Sequence, residues 1–150
     1  MSKKTKHSAA PRHTTQPRDI DRWLAQATRR LAGTDYPGVN STTQRILRHA
    51  AASPDQRATG LGHRGAAQLM LQQFDAVYAA LSQALALTLG DAYLWYNRGL
   101  ASRFTIRFGQ AVRDFERAAA LESDPCWCGS GRKYKQCHLT AEASMRRDRS

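Results

Sequence analysis

The chain repeats itself at a fixed spacing of 34 residues, and this repetition constrains the fold more than any other feature. His63-Arg64-Gly65 returns as Asn97-Arg98-Gly99, Phe74 as Phe108, Leu81 as Phe115, Ala84 as Ala118 and Leu87 as Leu121. A period of this length, with apolar residues at helical spacing inside it, marks a helix–turn–helix unit that stacks on its neighbours. Gly65 and Gly99 are expected where the two helices of one hairpin come closest. Ala84 and Ala118 are small for the same reason on the second helix. Phe74, Leu81, Phe108 and Phe115 are expected to fill the space between hairpins.

The second copy, residues 92–125, resembles a tetratricopeptide repeat. Trp95 and Gly99 sit where that family has its Trp and Gly, and Ala111, Phe115 and Ala118 take its Ala, Phe and Ala positions. It departs from the family at Arg98, where Leu is preferred, and at Ser102, where Tyr is preferred; its closing Pro125 arrives late. The first copy, about 58–91, is more degenerate, with Leu61 in place of the Trp and Val77 in place of the first Ala. By this resemblance Tyr93, Tyr96, Leu100 and Arg103 line a concave groove, and Asn97 stands where ligand-binding members hold a peptide backbone or carboxylate. Tyr93 and Leu100 also suit packing between repeats, and Arg103 suits a solvated face, because a short solenoid offers little concave surface.

About three repeats are needed to bury a continuous core, so the residues before the repeat should supply a further layer. Ile20, Trp23, Leu24, Ala27 and Leu31 recur at helical spacing, Asp19 and Asp21 suit a first turn, and Gly33 marks a stop. This predicts a helix from Arg18 to Ala32. Thr34-Asp35-Tyr36-Pro37-Gly38 then reads as a turn. Ser41 or Thr42 is expected to cap a second helix over 42–52, and Ser53-Pro54-Asp55 reads as the start of a third. Residues 1–17 mix Ser, Thr, Lys, His and two Pro without periodicity and are expected to be disordered.

The net charge of +11 sits mainly at the two ends. Residues 1–18 hold five Lys or Arg and no acid, and residues 126–150 hold six against two acids. Between them, twelve Arg face ten Asp or Glu. Basic ends on a balanced body favour a polyanionic partner such as RNA, DNA, a ribosome or an acidic protein, or merely aid solubility. No apolar run is long enough to span a bilayer. The basic first residues lack a following apolar stretch, so a cytoplasmic location is expected.

All three cysteines fall between Cys126 and His138, in the pattern Cys-x-Cys, eight residues, Cys-His. Three thiolates and one imidazole make a complete tetrahedral set for zinc, and closed sets of this kind are structural. Cys126, Cys128, Cys137 and His138 are the candidate ligands, for one Zn2+ per chain. Gly129 and Gly131 permit tight turns, while Arg132, Lys133 and Lys135 offset the net negative charge of the site and favour thiolates. The alternatives are iron, which thiolate-rich sites also accept, or a Cys-x-Cys redox pair. Four protein ligands leave no open position for catalytic zinc. An odd cysteine count argues against a disulfide framework.

This segment resembles the SEC-C motif, a zinc tail best known from the bacterial preprotein translocase motor. The core of that motif is Cys-x-Cys-Gly-Ser-Gly-x-x-Tyr-Lys-x-Cys followed by Cys or His, and residues 126–138 meet every fixed position. Trp127 stands where Pro is commoner. The resemblance implies contact with an export chaperone or the ribosome. Trp127 and Tyr134, interleaved with Arg132, Lys133 and Lys135, suit either base stacking with phosphate contacts or a small apolar seat.

His7, His13, His49 and His63 have no cysteine or carboxylate at ligand spacing and read as solvated or packed. Gly60-Leu61-Gly62 lacks the rest of a dinucleotide fingerprint, and no nucleophile–base pattern stands out. The fold expected is all-α: tetratricopeptide-like hairpin repeats with a small C-terminal zinc knuckle and a disordered basic N-terminus. The domains expected are a basic tail (1–17), a helical body (18–124), the knuckle (125–139) and a second basic tail (140–150). The function expected is a non-enzymatic adaptor contacting a protein or ribosomal partner. The alternative is a nucleic-acid-binding protein gripping phosphates through its tails and knuckle.

Overall fold

The computed structural model of the chain describes residues 17–123, all six of whose regular elements are helices. They are α1 (Pro17–Ala32), α2 (Tyr36–Arg48), α3 (Pro54–Met70), α4 (Phe74–Leu87), α5 (Ala92–Phe104) and α6 (Phe108–Ser123). Each helix packs on the next, and α1 also touches α3 as α3 touches α5. Among the described residues there is no strand. No helix there is long and apolar enough to cross a membrane.

The six helices form three pairs joined by one recurring turn. In each, the middle residue adopts a left-handed backbone: Thr34 (φ 62°), Gln72 (φ 58°) and Ile106 (φ 63°). The residue after it donates its amide to a carbonyl five positions back: Asp35 to Arg30 at 2.9 Å, Gln73 to Gln68 at 2.9 Å, Arg107 to Ser102 at 2.8 Å. This satisfies the last carbonyls of the first helix and reverses the chain within three residues.

Two glycines let the helices of a pair close up. A Cβ at Gly65 would lie 2.6 Å from Leu81 Cδ2, and one at Gly99 would lie 2.8 Å from Phe115 Cε1. Ala84 and Ala118 are buried on the second helices, as expected. The main core gathers Leu61, Val77, Leu81, Ala84, Leu85, Leu94 and Ala101, with Phe74 and Trp95 against it. A second cluster of Ile20, Ile46 and Ala52, flanked by Trp23 and Leu24, joins the first pair to the start of α3.

Two expectations are corrected. The second helix starts at Tyr36 rather than near Thr42 and ends at Arg48 rather than at 52. Asp35 is its N-cap and accepts from the Gly38 amide at 3.0 Å, so Pro37 sits in a first turn that tolerates proline. Ser41 and Thr42 do not cap; their hydroxyls donate back to the Gly38 carbonyl at 3.1 and 2.8 Å. Phe108 does not fill a space between hairpins; it is 60% exposed at the start of α6. The predicted first helix and the Ser53 cap agree with the structure, the latter as a complete capping box with Gln56.

Candidate functional site

The four candidate ligands Cys126, Cys128, Cys137 and His138, and with them Trp127, Arg132, Lys133, Tyr134 and Lys135, lie outside the described residues. So do the tails at 1–16 and 140–150, with His7 and His13. Among the described residues no group of three or more His, Cys, Asp or Glu could hold a metal ion.

The described residues end on the pair α5–α6, whose last residue is Ser123. Arg98 anchors this pair. Its Nε and Nη2 donate to the two carboxylate oxygens of Asp114 at 2.8 and 2.7 Å, and Asp114 is fully buried. Nη1 reaches the Ser82 hydroxyl at 3.3 Å, and the guanidinium lies 5.6 Å from the Tyr78 ring and 5.0 Å from the Trp95 ring. Gln110 adds a donor to Asp114 at 2.7 Å. The hydrogen bonds to Asp114 hold the Arg98 guanidinium charged, raising its pKa against the effect of burial. This network explains why an arginine stands between helices where the repeat pattern favours leucine.

The three sequence-predicted binding residues on α5 are separated by exposure. Tyr96 is half-exposed, with its ring 5.6 Å from that of Phe115. Arg103 is exposed. Asn97 is buried, and its Nδ2 has no acceptor among the described residues. At the equivalent position of α3, His63 is half-buried and bonded through Nε2 to Thr28 Oγ1 of α1 at 3.0 Å. Desolvation lowers the His63 pKa from its ordinary value, with the Thr59 backbone partly opposing. Tyr93 is exposed and Leu100 half-buried. Gly60-Leu61-Gly62 is buried inside α3 rather than forming a loop.

The outward surface of α5–α6 carries apolar residues that the sequence pattern did not single out as exposed. Phe104, Ile106, Phe108 and Val112 all face solvent by more than half their area. One signal could have found them. The repeat runs through only two copies, so among the described residues the contacts that cover Phe74 have no counterpart at Phe108.

The family comparison bears on the end of the chain. Residues 123–140 match the SEC-C motif. Protein translocase subunit SecA of Methylobacillus flagellatus is 64% identical over 31 residues, which is 19% of this chain and 3% of that protein. SecA of Myxococcus xanthus is 62% identical over 29 residues, again 19% of this chain and 3% of that protein. A methionine aminopeptidase of Chlamydia pneumoniae is 88% identical over 23 residues, 15% of this chain and 8% of that protein. The chain thus spans only a few per cent of the length of the relatives it matches.

Proposed function

We propose that this protein is a zinc-binding, non-enzymatic adaptor: a helical body that carries a SEC-C segment for docking a protein or ribosomal partner. The observation that carries this reading is the SEC-C match at 123–140, which contains all the cysteines of the chain. Cys126, Cys128, Cys137 and His138 are a donor set suited to zinc, and they leave no protein-free position for chemistry on substrate. The similar segments occur in a translocase subunit and in an aminopeptidase, proteins of different named activities. A part shared in that way fits docking better than catalysis.

The helical body is read as three tetratricopeptide-like hairpins. The identical turns at Thr34, Gln72 and Ile106, and the contacts of α3 with α1 and α5, support this. Arg103, exposed on α5, would present a second contact surface, whereas Asn97 is buried and Tyr96 belongs to the apolar face of α5–α6. A cytoplasmic location, where thiolates stay reduced, suits this donor set.

A nucleic-acid reading draws on one specific observation, the six basic residues among 126–150 beside Trp127 and Tyr134. A tagged pull-down from host cytosol, run with wild type and Cys137→Ser and with and without nuclease, separates the two. A defined protein or ribosomal set that survives nuclease and depends on Cys137 supports the adaptor. Heterogeneous nucleic acid that is released by nuclease or by raised salt supports the other reading.

A further inference from the structure

In this stack, each of the first two hairpins is covered by the helix that comes after it. Helix α3 lies on α1 and α2, and α5 lies on α3 and α4. The contacts are specific. Phe74 of α4 stacks on Phe104 of α5 with ring centroids 4.4 Å apart. Tyr78 lies under the guanidinium groups of Arg98 and Arg107. Gly62 of α3 meets Leu94 so closely that a Cβ there would come within 3.0 Å of Leu94 Cδ2.

The same three positions recur 34 residues later, as Phe108, Val112 and Tyr96. There they are 60%, 55% and 48% exposed. Among the described residues, a face that is covered once in the stack is left bare the second time, and it is apolar in both. The SEC-C segment comes directly after α6 in the chain: its match begins at Ser123, the last residue of the helix, without any linker.

We propose that residues 124–140 of the same chain occupy this face and close the helical stack. Reach permits it. Val112 lies about 16 Å back along the helix axis from Ser123. An extended chain gains about 3.3–3.6 Å per residue, so about five residues after Ser123 already cover that distance. The chemistry is complementary. Trp127, Tyr134 and Leu139 supply apolar surface, while Arg132, Lys133 and Lys135 supply cations. Glu116 occupies the place of Ser82, the residue that receives Arg98 in the covered copy. Direct tethering raises the effective concentration of the segment at the face to the millimolar range, about what a modest apolar contact needs. The proposal rests on reading this segment as a docking module, but not on its metal.

The test places photoreactive p-benzoylphenylalanine at Val112 in the full chain, with a control at exposed Gln44 on α2. Equal amounts of isotopically heavy and light protein are mixed before irradiation, and zinc content is measured on the same sample. The expected result is cross-links from position 112 into 124–140 within one chain, well above those from position 44. Cross-links between heavy and light chains would show a second copy on the face and overturn the proposal. Yields no greater than at position 44 would overturn it too. Failure of the zinc reading appears separately, as absent metal whatever the cross-links show.

Discussion

Arg98 carries a charge into the contact between α4, α5 and α6, and its paired hydrogen bonds with Asp114 decide what substitution there does. Restoring the leucine of the repeat pattern, Arg98→Leu, leaves Asp114 buried with only Gln110 to bond it. Removing one member of a buried pair costs about 3–5 kcal/mol, so Arg98→Leu should destabilise by that order in urea denaturation. The double variant Arg98→Leu/Asp114→Leu should recover most of the loss, and equal losses in single and double variants would contradict the pairing. His63 makes a second residue-scale prediction. Burial lowers its folded pKa below the ordinary 6.5, so the unfolded chain binds the extra proton first as pH falls. Stability should therefore decline as pH drops through and below that value, and His63→Gln should flatten this part of the profile. An unchanged pH slope in the variant would show that His63 is not the group responsible.

The recurring turn belongs to the scale of the element. A left-handed backbone costs a non-glycine residue about 1 kcal/mol, and most for a β-branched one. Ile106 is β-branched and largely exposed, so little packing offsets the strain. Ile106→Gly should raise the unfolding free energy by about 0.5–1 kcal/mol, read from the thermal midpoint; a fall would mean that its side chain is held by something in solution. Helix starts were legible where cap, proline and first-turn acid agreed, as at Ser53-Pro54-Asp55. The start of α2 was not, because Pro37 and Gly38 read as turn residues. Their true setting is a first helical turn capped by Asp35, with the Gly38 carbonyl receiving Arg30 as well as Thr42. The close helix approaches at Gly65 and Gly99 were legible from the repeat itself. The Arg98–Asp114 pair was not, since a charged residue at a helix interface declares its partner only in three dimensions. Nor was the bareness of Phe108, because periodicity says which residues want cover and not whether any is supplied.

At the scale of the molecule, a balanced helical body carries a strongly basic C-terminal segment whose short motif holds every cysteine. The similarity to proteins of other named activities spans no more than 19% of the chain. A modular design of this kind separates two failures: loss of the metal should abolish docking without unfolding the helices. Removing one thiolate weakens a structural zinc site, because three ligands no longer close the coordination shell and water takes the fourth position. The most direct measurement is native mass spectrometry of the full chain beside Cys137→Ser, with far-UV circular dichroism on the same samples. The account predicts a mass excess of one zinc ion in the wild type, its loss in the variant, and helix content nearly equal in both. A wild-type chain that stays metal-free in excess zinc, or a variant that keeps its metal, would contradict it.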